Sequence, residues 1–135
     1  MPENFPTFAP KITESNLAQP VKISGLIITL NEERNIRDCI ASLQEVVDEV
    51  VVVDSYSTDA TPDICREMGT RFVQHPFEGH IQQKNYAVDQ ASYDHVLSLD
   101  ADERLSPEMA DSIRAVKQDW RADGYAFNRL NNYCG

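Results

Sequence analysis

Two carboxylates separated by one residue follow a short apolar run, and their types and spacing suit them to hold a metal ion. Asp100 and Asp102 come directly after the apolar segment 96–99. Side chains two residues apart in an extended chain point the same way, so both acids could reach one target. Mg²⁺ is typically held by one or two carboxylates together with substrate phosphates. The spacing suggests a metal–diphosphate site, although taken alone it is more typical of a turn in which aspartate bonds its own backbone.

A third carboxylate, Asp54, follows a run of four valines at 50–53. A carboxylate at a strand end can accept hydrogen bonds from the N–H groups of a nucleobase edge. The alternative is turn chemistry and helix capping, which we favour for Asp59 and Thr61. For Asp54 we favour ligand contact, because ligands gather at such strand ends. No glycine-rich phosphate loop is present, which argues against a dinucleotide-binding fold.

Glu32 and Lys84 are the remaining candidates for ligand contact. Glu32 lies just beyond the first predicted strand, where it could contact a ribose or a base, whereas Glu33 suits the positive end of a helix dipole. Lys84 lies three residues after Ile81 and four before Val88, on a predicted apolar helix face. Its ammonium group either extends to the surface or points into a cleft as an anion clamp, and both interpretations stay open.

The hydrophobic pattern alternates between the strand period and the helix period along the chain. It predicts strands at 23–30, 50–53, 71–75 and 96–99 and a short strand around Tyr125 and Phe127. It predicts helices at 33–46, from the N-cap Thr61 to Gly69, at 79–92, and from Ser106 through a stripe of Met109, Ile113, Val116 and Trp120. Apolar residues recur at intervals of three and four in the first helix, at Ile36, Ile40, Leu43 and Val47. This spacing predicts an amphipathic helix.

This β-α-β alternation predicts an α/β fold with a mostly parallel sheet and helices on both faces, a three-layer α/β/α arrangement. In open sheets of this kind, ligands bind beyond the carboxyl ends of the strands. Glu32, Asp54 and the pair Asp100 and Asp102 follow three such ends. Their common placement strengthens the interpretation of the acidic pair as a metal site.

Length and charge restrict the function classes. The chain has 135 residues, enough for one domain with a core, and we expect residues 1–20, with four prolines, to be a flexible leader before a domain at 21–135. The net charge of −10 argues against a nucleic-acid partner. Three cysteines without metal-ligand spacing predict buried free thiols in a reducing compartment. We find neither a signal-peptide pattern nor an apolar run of membrane-spanning length.

Four segments resemble, in the same order along the chain, the motifs of family 2 glycosyltransferases with the GT-A fold: Ile27-Ile28-Thr29-Leu30-Asn31-Glu32, Val53-Asp54-Ser55-Tyr56-Ser57-Thr58-Asp59, Lys84-Asn85 and Asp100-Ala101-Asp102. The resemblance covers residues 21–135 and is nearest to the bacterial branch that adds glucose to the lipopolysaccharide inner core. It implies a nucleotide-sugar donor and a divalent cofactor, Mg²⁺ or Mn²⁺. It also implies residue roles. Leu30 and Glu32 would lie beside the nucleotide, Asp54 would bind the uracil edge, and Lys84 would lie near the donor nucleotide. Asp100 would lie near the ribose and the metal, and Asp102 would bind the metal.

The chain departs from the family pattern at two places. Ser55 and Tyr56 stand where many members have a second aspartate and a glycine. The family's catalytic base lies further along the chain, in an acceptor-binding half, and we expect it beyond Gly135. We therefore expect this chain to be the nucleotide-sugar-binding half of an inverting glycosyltransferase that moves a sugar, glucose by the resemblance, from a UDP-sugar to a glycan or lipid-linked acceptor.

The resemblance further implies a cytoplasmic enzyme at the inner face of the cytoplasmic membrane, with peripheral membrane association through the other half. Two alternatives stay open. A sugar nucleotidyltransferase generally has a glycine-rich, basic loop after its first strand, but here that loop is acidic Asn31-Glu32-Glu33-Arg34. A non-catalytic domain that binds a nucleotide sugar is the second alternative, because no residue of the chain can be assigned as the base.

Overall fold

The computed structural model describes residues 21–118, which form a parallel sheet of four strands between two layers of helices. The strands are β1 (Ile23–Thr29), β2 (Glu49–Asp54), β3 (Arg71–Gln74) and β4 (His95–Asp100), in the spatial order β3-β2-β1-β4. Thr29 pairs in register with Asp54, and Ile28 pairs with Asp100. The carboxyl ends of β2, β1 and β4 therefore lie side by side at one edge.

Four helices cover the two faces of the sheet: α1 (Ile36–Gln44), α2 (Thr61–Glu67), α3 (His80–Gln90) and α4 (Pro107–Gln118). The helices α1, α2 and α4 pack on one face around buried Ile27, Leu43 and Ile113. Among the described helices only α3 packs on the opposite face, with Ala87 against Leu26. This arrangement confirms the predicted three-layer α/β class and the mostly parallel sheet. No helix within residues 21–118 is long and apolar enough to cross a membrane.

The predicted elements are present with small shifts at their ends. The helix α4 opens as expected, with the Ser106 hydroxyl accepting a hydrogen bond from the Met109 amide at 3.1 Å, and Gly69 ends α2 with φ +79°. The prediction of Thr61 as an N-cap is wrong. Thr61 is the first residue of α2, and its buried hydroxyl accepts the Glu32 amide at 2.9 Å instead. The same cross-loop bonding holds residues 31–35 outside α1, which begins three residues later than predicted.

The predicted apolar face of α3 is wrong. Ile81 is 73% exposed and Val88 is 47% exposed, and Lys84 between them is exposed as well. The buried positions of the helix are Gln83 and Ala87. Bulky Leu26, Val51 and Val53 fill this face of the sheet, so the helix approaches it with a small side chain and an amide rather than with large aliphatic groups.

Two cysteines confirm the expected free thiols. Cys39 and Cys65 are buried and unpaired. Burial raises the pKa of the Cys65 thiol to about 12, and burial together with nearby carboxylates raises the pKa of Cys39 above its ordinary range. Neither thiol is therefore ionised at neutral pH. The predicted leader 1–20, the last strand, Trp120 and Cys134 lie outside the described residues.

Candidate functional site

Hydrogen bonds between two loops build one side of the strand edge. The β1–α1 loop and the β2–α2 loop face each other, and Asn31 joins them with both its backbone and its side chain. The Asn31 amide donates to the Ser57 hydroxyl at 2.7 Å, and its side-chain oxygen accepts the amide of Thr58 at 2.8 Å. Glu33 accepts the Ala60 amide at 2.9 Å. These contacts fix the two loops as one unit.

Asp59 adds a charged member to this loop unit. Its carboxylate accepts the Thr61 amide at 2.9 Å and the Glu33 amide at 3.2 Å. Burial acts to raise the pKa of Asp59, but the hydrogen bonds from Thr61 and Glu33 outweigh burial and lower the pKa below its ordinary value. Asp59 therefore ties the start of α2 to the other loop.

Two residues of the loop unit adopt the left-handed backbone conformation. Asn31 has φ +53° and Tyr56 has φ +65°. Asparagine tolerates this region because its short side chain bonds nearby backbone, as it does here. Tyrosine has no such compensation, and its ring is 53% exposed at the loop tip. Tyr56 therefore holds a left-handed backbone conformation that glycine adopts without steric cost.

Asp54 lies beneath this loop unit. Its side chain is fully buried, and its carboxylate accepts hydrogen bonds from the Ser57 amide at 2.8 Å, from the Ser57 hydroxyl, and from the Gln74 amide group at 3.1 Å. Asp54 thus holds the loop that follows β2 and contacts β3. The next residue, Ser55, reaches the open edge in its place.

The end of β4 is arranged differently. The strand stops at Asp100, and a turn follows in which the Glu103 amide donates to the Asp100 carbonyl at 2.9 Å. Asp102 therefore lies in a turn, so the extended-chain reason given for its direction is wrong, although both acids do line one cleft. Both side chains are exposed, and neither carboxylate accepts a hydrogen bond from any residue within 21–118.

Glu103 completes the acidic turn. It accepts the Asp100 amide at 2.8 Å through its side chain. Burial raises the pKa of Glu103, and the charges of Asp100 and Asp102 raise it further, while the charge of Lys84 opposes them. The four groups are therefore within electrostatic range of one another, and Lys84 supplies positive charge beside an acidic turn.

A cleft of about 320 Å³ opens at this edge of the sheet, between the loop unit and the acidic turn. Phe77 and His80 form a further wall, with their rings edge to face at 5.2 Å. The lining residues include Leu30, which is 51% exposed, together with Glu32, Ser55, Asp100, Ala101 and Asp102. Thr29 lies at the floor, and its buried hydroxyl has no hydrogen-bond partner within residues 21–118.

The cleft brings together four of the six predicted site residues: Leu30, Glu32, Asp100 and Asp102. The other two, Asp54 and Lys84, are not among the residues that line it. Asp54 is buried directly before Ser55, which lines the cleft, and Lys84 is exposed on α3. The nucleotide contacts expected for all six stay predictions.

Sequence reasoning missed Gln83, Phe77 and His80. Gln83 is fully buried, which its polar side chain gave no reason to expect. A usable signal was present: the segment between β3 and α3, with Pro76 and Gly79, follows a strand end just as the other lining loops do. Every connection after a strand of a parallel sheet reaches this same edge.

Known proteins are similar to this chain in sequence and in fold. The family described as "Glycosyl transferase family 2" matches residues 24–134. An uncharacterized glycosyltransferase of Rickettsia felis is 41% identical over 104 residues, covering 77% of this chain and 37% of that protein. The lipopolysaccharide core biosynthesis glycosyltransferase LpsC of Rhizobium meliloti is 37% identical over 96 residues, covering 67% of this chain and 35% of LpsC.

A solved structure agrees with these relatives. Glucosyl-3-phosphoglycerate synthase of Mycobacterium tuberculosis, crystallised with Mn²⁺, UDP and glucosyl-3-phosphoglycerate, superposes with a TM-score of 0.56 at 30% identity, covering 62% of this chain and 34% of the synthase. The fold and the sequence together define an α/β domain with the GT-A architecture. The chain belongs to glycosyl transferase family 2, and it spans about a third of the length of the relatives that it matches.

Proposed function

We propose that this chain forms the donor-binding part of an inverting glycosyltransferase and holds a UDP-sugar in the cleft at the strand edge. The observation that carries the proposal is the contrast along that edge. Hydrogen-bonded loops close one end of the cleft, and two exposed carboxylates without hydrogen-bond partners inside residues 21–118 stand at the other. A nucleoside diphosphate has the matching polarity, with a flat polar base at one end and a metal-binding diphosphate at the other.

The acidic turn fits a divalent ion. Asp100 and Asp102 offer hard oxygen ligands, which Mg²⁺ and Mn²⁺ prefer. Within residues 21–118 no group of three or more histidine, cysteine, aspartate or glutamate side chains is placed to hold an ion by itself. The remaining ligands would then be diphosphate oxygens and water, which is the usual arrangement for Mg²⁺. Asp100 and Asp102 would hold such an ion, which would supply positive charge to the leaving diphosphate.

The protein's own residues position the donor. The loop unit and the wall of Phe77 and His80 confine the nucleoside, while the exposed side chain of Leu30 gives it apolar contact. Lys84, whose charge acts on Glu103, contributes positive potential in a chain of net charge −10. The direct contacts proposed for Glu32 and Asp54 follow the family resemblance. Asp54 needs a change in the loop after β2 before its carboxylate can meet a base.

The acceptor is proposed from the relatives. LpsC is named for lipopolysaccharide core biosynthesis, and the mycobacterial synthase carries a glucosyl product beside UDP. We infer a UDP-hexose donor, with glucose favoured, and a glycan or lipid-linked acceptor at the inner face of the cytoplasmic membrane. The general base that deprotonates the acceptor hydroxyl is assigned to the part of the relatives that this chain does not cover.

Calorimetric titration with UDP tests donor binding. We expect the chain to bind UDP in the presence of Mn²⁺, and the double variant D100N/D102N to bind it about 100-fold more weakly, the equivalent of ~2.7 kcal/mol. Chelation of the ion with EDTA is expected to weaken the parent to a similar degree and to leave the double variant unchanged.

A matched control separates the site from general charge. The variant E108Q/D111N also removes two negative charges, but from exposed positions of α4 that do not line the cleft. It is expected to bind UDP like the parent. Failure of the parent to bind UDP, or equal affinity for the parent and D100N/D102N when both are folded, would falsify the proposal.

A further inference from the structure

A buried amide on α3 connects the wall of the cleft to its floor. The Gln83 side chain is fully buried and touches two strand ends. Its nitrogen, Nε2, lies 3.1 Å from the Ser55 hydroxyl and 3.2 Å from the His75 backbone carbonyl. Its oxygen, Oε1, lies 3.0 Å from His75 Nδ1. The ring of His75 also stacks on Tyr86 at 3.8 Å, which holds this end of β3 against α3.

The carbonyl of His75 fixes the direction of every hydrogen bond in this group. A backbone carbonyl can only accept, so the Gln83 atom facing it must be the nitrogen. The amide oxygen then faces His75 Nδ1, which must carry a proton to donate to it. The second hydrogen of the nitrogen points to Ser55, whose oxygen therefore accepts. Both N–H groups of the buried amide and its oxygen therefore have a partner, as a low-dielectric site requires.

One proton is left over from this arrangement. The Ser55 oxygen accepts from Gln83, and no acceptor within residues 21–118 takes the Ser55 hydroxyl proton. Ser55 lines the cleft, so that proton is available to a ligand there. A serine hydroxyl ordinarily rotates to donate or accept as its surroundings require. Here Gln83 engages one lone pair of the Ser55 oxygen and orients the hydroxyl, which keeps its proton to donate towards the cleft.

The position of Ser55 identifies the part of the ligand that it meets. Ser55 follows β2 and the acidic pair follows β4, and β1 lies between these strands. Neighbouring strands are about 4.8 Å apart, so the two groups are about 10 Å apart across the edge. A nucleoside diphosphate whose diphosphate meets the acidic turn would extend along this edge through its ribose, so its base would lie on the Ser55 side.

We propose that Gln83 is a positioning residue that presents the Ser55 hydroxyl as a hydrogen-bond donor to a carbonyl oxygen of the donor's pyrimidine base. The inference rests on the proposed function, which supplies the nucleotide in the cleft. Uracil offers such carbonyl oxygens, and pyrophosphate has no equivalent group at this distance from the acidic turn. The effect of Gln83 is therefore specific to ligands that carry the base.

The test compares UDP with pyrophosphate as ligands, each titrated with Mg²⁺ present, for the parent, Ser55→Ala, Gln83→Met and the double variant. Methionine fills a similar volume and cannot donate. Each single variant is expected to bind UDP about tenfold more weakly, the effect of one hydrogen bond. The double variant is expected to bind UDP no more weakly than either single one, because Gln83 acts through Ser55. Pyrophosphate affinity is expected to stay within about twofold of the parent.

Several outcomes overturn this inference. They are additive losses in the double variant, an equal loss for pyrophosphate, or parent-like UDP affinity in Gln83→Met. Ser55→Ala removes only a partly exposed hydroxyl and is expected to fold, so parent-like UDP binding by that variant overturns the inference even if Gln83→Met unfolds. If the parent binds neither ligand, the proposed function itself fails. If the parent binds both and the variants keep its preference for UDP, only the inference about Gln83 fails.

Discussion

The ends of β2 and β4 carry the same kind of side chain in opposite states. At the end of β2, the Asp54 carboxylate is fully buried and accepts three hydrogen bonds from Ser57 and Gln74. At the end of β4, the carboxylates of Asp100 and Asp102 are exposed and accept none from residues 21–118. The first arrangement gives a rigid loop, and the second leaves charge available to a cation.

The alternation of side chains along each strand accounts for part of this difference. Asp54 shares the sheet face of Val52, which α1 and α2 cover. Asp100 follows Leu99, which points to that same face, so Asp100 points to the opposite face, where α3 packs. The loops after β1 and β2 then fold against each other above Asp54. Within residues 21–118, no comparable loop covers the short turn after β4. A rigid end can discriminate a flat base, and an open acidic end can adapt to an ion and its phosphates.

The largest expected effect is a difference in the free energy of unfolding between substitutions at the end of β2 and at the end of β4. Asp54→Ala leaves the Ser57 and Gln74 donors without their acceptor in a buried site, so we expect a loss of about 3 kcal/mol in the free energy of unfolding. Asp102→Ala removes an exposed side chain without hydrogen bonds to the described chain, and we expect a change within about 0.5 kcal/mol. Urea denaturation followed by circular dichroism measures both.

Asp54→Asn serves as a milder companion, since it keeps one acceptor oxygen and is expected to lose about half as much, ~1.5 kcal/mol. Equal stabilities for Asp54→Ala and Asp102→Ala would show that the two ends do not differ in the way described. A large loss in Asp102→Ala alone would have the same meaning.

Asn31 tests how the closed end is held. Asn31→Ala removes the acceptor of the Thr58 amide and places alanine at φ +53°, so we expect a loss of about 2 kcal/mol in unfolding free energy. Asn31→Gly removes the same acceptor without backbone strain, and we expect about 1 kcal/mol. The difference between the two variants in urea denaturation measures the strain, and identical losses would contradict its contribution.

The architecture was predictable because each element has a strong local signal. The valines of β2 and the helical stripe of Ile36, Ile40 and Leu43 determine a strand and a helix almost regardless of context. Their alternation then defines a parallel sheet, and the rule on strand ends placed Glu32, Asp100 and Asp102 at one cleft. Within residues 21–118, the predictions of element type, sheet direction and layer order are confirmed.

The errors arose where tertiary contacts outweighed local pattern. Thr61 has the residue type of a helix cap, but a neighbouring loop takes its hydroxyl. Ile81 and Val88 have helical spacing, but Leu26, Val51 and Val53 already fill the sheet face beneath α3. The buried state of Gln83 depends on Ser55 and His75, which lie outside α3 at the ends of two strands, so no pattern within the helix could reveal it.

The smallest expected effect concerns the charge of Asp59, which joins the loops after β1 and β2. Its lowered pKa means that the folded state binds a proton less readily than the unfolded chain does, so Asp59 contributes stability above pH 3.8. That contribution is lost as the pH falls through the lowered folded pKa. Asp59→Asn keeps an acceptor oxygen but not the charge, and we expect a loss below about 1 kcal/mol at pH 7.

The stability difference between the parent and Asp59→Asn is expected to shrink as the pH falls below 3.8, as measured by urea denaturation at pH 7, 4 and 3. Asp89→Asn, at an exposed position of α3, controls for the change in net charge and is expected to show no such trend. A difference that stays constant with pH would mean that the geometry of the acceptor, rather than its charge, holds the loops together. The closed end would then resemble an uncharged turn, and the contrast with the acidic turn after β4 would be one of charge as well as exposure.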